Sequence, residues 1–147
     1  MIEIYVDGSV GRGKGSNYSG AIVVFKNNHI IYEACGIGDL QNTELISMRN
    51  IAGELSAAMR AASWLLLNDE KGTIVYDYKG IEYFATGVWQ ANNDYTKGYH
   101  YYMKPLIDKG IIDFRHVKGH TKVFGNELAD KLAKRALRLG IRWEDKW

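Results

Sequence analysis

Four acids and one histidine are the residues of this 147-residue chain whose placement calls for a chemical explanation. Asp7 ends the alternating run Ile2-Glu3-Ile4-Tyr5-Val6 and is followed by Gly8-Ser9; Asp77 ends the β-branched and aromatic run 73–76 in the same way. A carboxylate where a strand should still be apolar costs desolvation energy unless a cation meets it. Glu54 borders the apolar stripe of a helical segment, one turn from both Ile51 and Ala58, and Asp130 has the equivalent position beside Ala129 and Ala133. Singly, each acid has a plain alternative: Asp7 as the first residue of an Asp-Gly turn, the others as capping or solvated acids. Jointly, two strand-end acids and two stripe-border acids are the oxygen donors that a hard divalent cation takes. His120 lies in Val117-Lys118-Gly119-His120-Thr121, a glycine-hinged stretch near Asp130. An imidazole there is either a proton relay near neutral pH or a surface side chain with no chemical role.

The elements that must position these groups follow from hydrophobic period. Residues 2–9, 21–26 and 30–36 read as three antiparallel strands, the last two joined by Asn27-Asn28, with 8–20 as a glycine-rich hairpin connection. Residues 38–45 show no period and serve as a connection. From Arg49 the period becomes helical, with Ile51, Leu55, Ala58, Met59, Ala62, Leu65 and Leu66 on one face and Ser47 or Asn50 as cap. A short strand at 73–76 is followed by a short helix at 78–85 stopped by Gly87. A helix at 96–109 comes next, which Pro105 must kink or split. A strand at 111–117, a loop at 117–124 and a last helix capped by Asn126 and closed by Gly140 complete the chain. Strands four and five, reached by helical crossovers, run parallel to the first. The result is an α/β fold with a five-stranded mixed sheet, three antiparallel strands plus two parallel, flanked by helices. Ligands gather beyond the carboxyl ends of parallel strands, which puts Asp7 and Asp77 on one rim.

Composition narrows the functional classes. A single cysteine, Cys35, excludes an internal disulfide and a cysteine-based zinc cluster, and fits a reducing, cytoplasmic setting. No apolar stretch is long enough to cross a bilayer, so no membrane partner is expected. Net charge is only +2, yet residues 115–142 carry eight basic side chains against Glu127 and Asp130, a surplus of +6 that leaves −4 elsewhere. This basic segment is either a solvated helix face or an edge turned to a polyanion. Gly8-Ser9-Val10-Gly11-Arg12-Gly13-Lys14 fits the first seven positions of a phosphate-binding P-loop. It fails at Gly15, where Ser or Thr should hold magnesium, and a strand follows where a helix is needed.

Taken in order, Tyr5-Val6-Asp7-Gly8-Ser9, Asn50-Ile51-Ala52-Gly53-Glu54-Leu55, Tyr76-Asp77, Val117-Lys118-Gly119-His120-Thr121 and Gly125-Asn126-Glu127-Leu128-Ala129-Asp130-Lys131-Leu132-Ala133 resemble the type 1 ribonuclease H family from one end of the chain to the other. The resemblance implies a ribonuclease H-like fold over 1–147 as a single catalytic domain, with no separate hybrid-binding domain. It implies a monomeric endonuclease that cuts the RNA strand of RNA-DNA hybrids with two Mg2+ ions, or Mn2+ in their place, leaving 5′-phosphate and 3′-hydroxyl ends. By position, Asp7, Glu54, Asp77 and Asp130 would be the metal ligands, with Asp7 shared between the ions, and His120 would assist proton transfer or product departure. Asn50 would read the 2′-hydroxyl, while Asn126, Lys118, Thr121 and Lys122 would contact the substrate, the lysines at its phosphates, with little sequence preference. No protein partner is implied. Two departures stand out: Ile51 occupies a position where many relatives carry a second Asn, and residues 88–109 hold only Lys97, Lys104 and Lys109 against Asp94 and Asp108. A weak grip on hybrid is expected unless Trp89 and nearby tyrosines pack against the DNA strand, the plainer reading being that these aromatics are core; the alternative function is a catalytically weak nucleic-acid-binding module of the same fold.

Overall fold

β-branched residues make the first three runs strands, alternating in the first (Ile2, Ile4, Val6) and consecutive in the second (Ile22, Val23, Val24), and the Asn27-Asn28 turn fixes the pairing of the last two. The computed structural model describes residues 1–11, 17–39, 48–118 and 123–143. β1 (Ile2–Val10) pairs antiparallel with β2 (Asn17–Lys26), and β2 pairs antiparallel with β3 (His29–Asp39). Asn27 and Asn28 both adopt left-handed backbone, with φ of 51° and 69°, as a two-residue hairpin requires. α1 (Arg49–Leu67) crosses to β4 (Gly72–Tyr76), which lies parallel beside β1. α2 (Gly80–Thr86) and α3 (Asp94–Asp108) cross to β5 (Ile112–His116), parallel to β4, and α4 (Phe124–Leu139) follows. The sheet order is β3-β2-β1-β4-β5, the mixed five-stranded α/β sheet expected from the sequence.

Strand alternation sends side chains to two helical layers. Ile2, Ile4, Val6, Ile22, Val24 and Ile74 pack against Leu55, Ala58, Ala61, Ala62 and Leu65 of α1, with Ile81, Met103 and Leu106 extending the same core. On the opposite face α4 buries Ala129, Ala133 and Ala136, and the Ser19 hydroxyl donates to the Ala133 carbonyl at 2.6 Å. Truncating fully buried Leu55 to alanine should cost about 2–5 kcal/mol.

Several elements depart from their sequence reading. β1 and β2 run further into the 8–20 stretch than a hairpin connection would, so Gly8 and Gly20 face one another as strand partners. β3 continues to Asp39, through part of the span read as a connection. Helix α1 begins after Met48 without a side-chain cap; Asn50 lies inside the helix, and Ser47 falls outside the described residues. Helix α4 begins after Val123, again without a side-chain cap, which makes Asn126 its third residue instead of its cap. Helix α3 is one continuous element through Pro105. Pro105 sits in the last turn, where it removes a single intrahelical bond, to the carbonyl of the exposed residue Tyr101 that water can reach. The start of α3 carries a capping box, with Asn93 and Thr96 each accepting from the other's backbone N–H.

The chain end packs on the body at least to Trp143. Ile37 N–H donates to the Ile141 carbonyl at 2.8 Å, Arg142 pairs with Ile37 as a short parallel bridge, and Trp143 fills the space above Gly36. The Arg60 guanidinium lies 4.7 Å from the Trp143 ring centroid.

Candidate metal centre

Asp77 directly follows β4, whereas Asp7 lies inside β1, which runs on to Val10 paired with β2; the parallel β1–β4 ladder stops at Tyr5 and Val75, so both acids stand just beyond its end and meet on one rim. Glu54 reaches the same point from the second turn of α1 because three glycines thin the layer between helix and sheet. A Cβ on Gly8 would fall 2.5 Å from the Glu54 amide nitrogen, one on Gly53 would fall 2.5 Å from the Ser19 carbonyl oxygen, and one on Gly20 would fall 3.0 Å from the Gly53 carbonyl oxygen. Only hydrogen at these positions lets α1 come down beside the end of β1. In the sequence Gly8 and Gly20 read as hairpin residues; the signal for their actual role is the third glycine, Gly53, in an otherwise good helix.

One oxygen from each of Asp7, Glu54 and Asp77 lies within 4.8 Å of the others. Asp7 is 5% exposed, and no lysine or arginine pairs with any of the three among the described residues. Burial first, and then the Asp77 charge, push the Asp7 carboxyl up to about 7, while Glu54 shares a hydrogen bond with it. Burial and the neighbouring Asp7 and Asp77 charges hold Glu54 well above the usual carboxylate range. Asp77 is also raised, by burial above all, and is held by backbone N–H groups and by the Asn126 side chain. Three carboxylates so close repel when ionised, and each prefers its proton.

A divalent cation fits this donor set. The ligands are all hard oxygens, the charge is uncompensated by the protein, and Glu54 Oε2 is buried without a hydrogen-bond partner among the described residues. Asp130 lies outside the tight trio but lines the same open cavity of about 330 Å3, together with Asp7, Asp77, Asn126, Glu127 and Lys131. Its carboxylate accepts from Lys134 one turn along α4, at 3.0 Å. The fourth acid thus shares the cavity lining with Asp7 and Asp77, while Glu54 meets those two from α1.

Of the remaining predicted residues, Asn50 is exposed one turn before Glu54, on the same side of α1, and Lys118 is exposed just after β5. His120, Thr121 and Lys122 lie outside the described residues. His116, which sequence reasoning passes over, ends β5 and contacts the Asp77 carbonyl through Nε2 at 3.0 Å, fixing the backbone beneath that acid. Trp89 packs edge-on against Tyr78, Tyr83 and Phe84 and keeps part of its surface exposed, so it is neither wholly core nor free to stack. No helix among the described residues is long and apolar enough to cross a membrane.

Comparison with known proteins gives one answer in two forms. The fold is similar to RNase H1 from the halophilic archaeon Halobacterium salinarum NRC-1, with a TM-score of 0.74, 22% identity, and coverage of 93% of this chain and 97% of that one. It is similar to the N-terminal RNase H domain of Rv2228c from Mycobacterium tuberculosis, with a TM-score of 0.74, 17% identity, and coverage of 95% and 94%. It is also similar to LC11-RNase H1, isolated from compost by a metagenomic approach and solved in complex with an RNA/DNA hybrid, with a TM-score of 0.69, 18% identity, and coverage of 93% and 99%. No curated protein sequence matches the chain. The RNase H sequence profile matches residues 1–138, with all four candidate acids inside that span, and the chain belongs to the RNase H family of nucleases.

Proposed function

We propose that this protein is an endonuclease that hydrolyses the RNA strand of RNA-DNA hybrids with two divalent ions, Mg2+ by preference, leaving 5′-phosphate and 3′-hydroxyl ends. The observation that carries the reading is the trio of buried Asp7 with half-buried Glu54 and Asp77, three carboxylates without a protein cation among the described residues, on the rim of an RNase H sheet. Asp7, Glu54, Asp77 and Asp130 hold the ions. Bound there, the ions supply a water of lowered pKa as nucleophile and stabilise charge on the leaving 3′ oxygen. Burial and mutual repulsion raise the proton affinity of Asp7 and Glu54 in the metal-free protein, so a bound cation would compete with protons there. The exposed Lys131, Lys134, Arg135 and Arg138 on α4 meet phosphates without reading bases, and Asn50 senses the 2′-hydroxyl beside Glu54. His120, between β5 and α4 in the sequence, moves a proton or releases product. Capture of a hybrid by a relative of the same fold supports this choice of substrate.

Hybrid grip is modest in this reading, because α3 carries few basic residues and Lys104 is tied to Asp108 at 2.5 Å. The protein works as a monomer, and affinity falls steeply with salt. Cleavage of a hybrid labelled on its RNA strand, with Mg2+ and then with a chelator, tests the proposal. Multiple-turnover product in Mg2+ alone, absent in Asp77→Asn, is expected. Hybrid retained without product would make the protein a binding module, and full activity in Asp77→Asn would remove that residue from the site.

A further inference from the structure

Asn126 is 6% exposed, lines the acidic cavity, and carries no charge although four carboxylates surround that space. Its side chain hydrogen-bonds Asp77 in the sense that favours the ionised carboxylate, which an amide does by donating, so the Asn126 amide nitrogen is turned to Asp77. The other half of the amide is left over, since Oδ1 is buried and finds no hydrogen-bond partner among the described residues. A buried amide oxygen left unpaired is destabilising, so an acceptor kept in that state needs a reason.

Its place in the fold supplies one. Asn126 is the third residue of α4 and stands one helical turn before Asp130, so both project from the same side of the helix. The bond to Asp77 joins the first turn of α4 to the end of β4, and it thereby sets how far Asp130 stands from the three converging acids. Gly125 serves the same docking. A Cβ there would strike the ring of Tyr5, so the first turn of α4 comes down onto β1 only with glycine at this position. Lys or Arg at 126 would neutralise the acids and compete with a cation, and Asp would add repulsion. An amide donates to one ligand and still offers an acceptor to the cavity.

We propose that Asn126 is a positioning residue of the metal centre: its amide nitrogen orients the Asp77 carboxylate against α4, and its buried Oδ1 accepts a hydrogen bond from a water carried by the bound divalent ion. This rests on the reading of Asp7, Glu54 and Asp77 as the metal ligands, and it replaces the substrate-contact role that the family resemblance suggests for Asn126. Partners of this kind, one shell out from the ligands, commonly govern metal affinity by 10–100-fold.

The test is calorimetric titration of the intact protein with Mn2+, in parallel with hybrid binding in metal-free buffer. For Asn126→Ala, Mn2+ binding weaker by about tenfold with unchanged hybrid affinity is the expected result. Unchanged Mn2+ affinity with weakened hybrid binding would return Asn126 to the substrate and overturn the proposal. Asp77→Asn, run alongside, separates the two levels. If it leaves Mn2+ binding intact, the ligand reading itself fails and the role of Asn126 fails with it. If it weakens binding while Asn126→Ala does not, only the role of Asn126 falls. Should Asn126→Ala not fold, the 15N-labelled wild-type protein decides. The Asn126 side-chain amide should exchange slowly with water and shift on addition of Mg2+; a resonance unmoved by saturating Mg2+ overturns the proposal.

Discussion

Glu3 and Asp7 lie four residues apart on β1 and on the same side of it, and their surroundings are opposite. Glu3 is met by the Arg115 guanidinium at 2.5 Å, reaching across from β5, and the pair is open to water. Asp7 is buried among acids with no cation from the protein among the described residues. One strand therefore carries an acid whose charge the fold has matched and an acid whose charge it has left open. Unmatched burial is costly, and in a sheet otherwise so regular it marks the place where the missing cation is to come from solution.

The sharpest way to break this contrast is to neutralise each acid in turn. Asp7→Asn should lower hybrid cleavage by about a thousandfold or more, since a shared ligand to the ions is lost, while Glu3→Gln should stay within about twofold. Comparable losses in the two variants, measured as initial rates at saturating Mg2+, would erase the distinction.

Stability should move the opposite way. A carboxyl raised in the fold from 3.8 to about 7 keeps its proton where the unfolded chain has lost it. The metal-free protein therefore loses stability as pH rises from about 4 to 7 and is flat above that; below about 4 both states are protonated and Asp7 imposes no cost. Asp7→Asn removes this cost and should stabilise the metal-free protein by on the order of 2–4 kcal/mol at pH 8, with little effect at pH 4. Urea titrations at the two pH values in chelator check it, and saturating Mn2+ should restore stability to the wild type only.

Gly53→Ala sharpens the contrast without touching a charge. The added methyl meets the Ser19 carbonyl, a backbone atom that cannot swing aside. Overpacking of about 1–3 kcal/mol outweighs a gain of about 1 kcal/mol in helix propensity, so the variant should be less stable by about 1 kcal/mol. Glu54 follows the helix away from Asp7, and cleavage should fall by tens-fold at unchanged hybrid affinity. The smallest effect belongs to the matched pair: Glu3→Gln should cost about 0.2–1 kcal/mol by thermal denaturation, less in high salt.

Asp7 and Asp77 were legible as neighbours because the order of elements alone sends β1 and β4 parallel and side by side; that β1 continues past Asp7 to Val10 was not, since Gly8 reads as a turn. Glu54 and Asp130 were legible from their positions at the border of an apolar stripe. Gly8 and Gly20 were not, since a glycine read from sequence promises a turn and only the helix lying over it shows that close approach is the constraint. Asn126 is a second case. Asparagine near a helix start reads as a cap, and a shift of the boundary to Val123 turns the same residue inward. Pro105 reads as a breaker because its cost depends on which carbonyl loses its donor, and here that carbonyl belongs to an exposed residue in a final turn.

The central claim is that Asp7, Glu54 and Asp77 are left unmatched to receive a divalent ion. Anomalous diffraction from crystals of the protein grown with hybrid and Mn2+ tests it most directly. Manganese peaks within ligand distance of Asp7, with Glu54, Asp77 and Asp130 sharing them, are the predicted result. Peaks elsewhere on the surface, with Asp7 still hydrogen-bonded to Glu54, would contradict it.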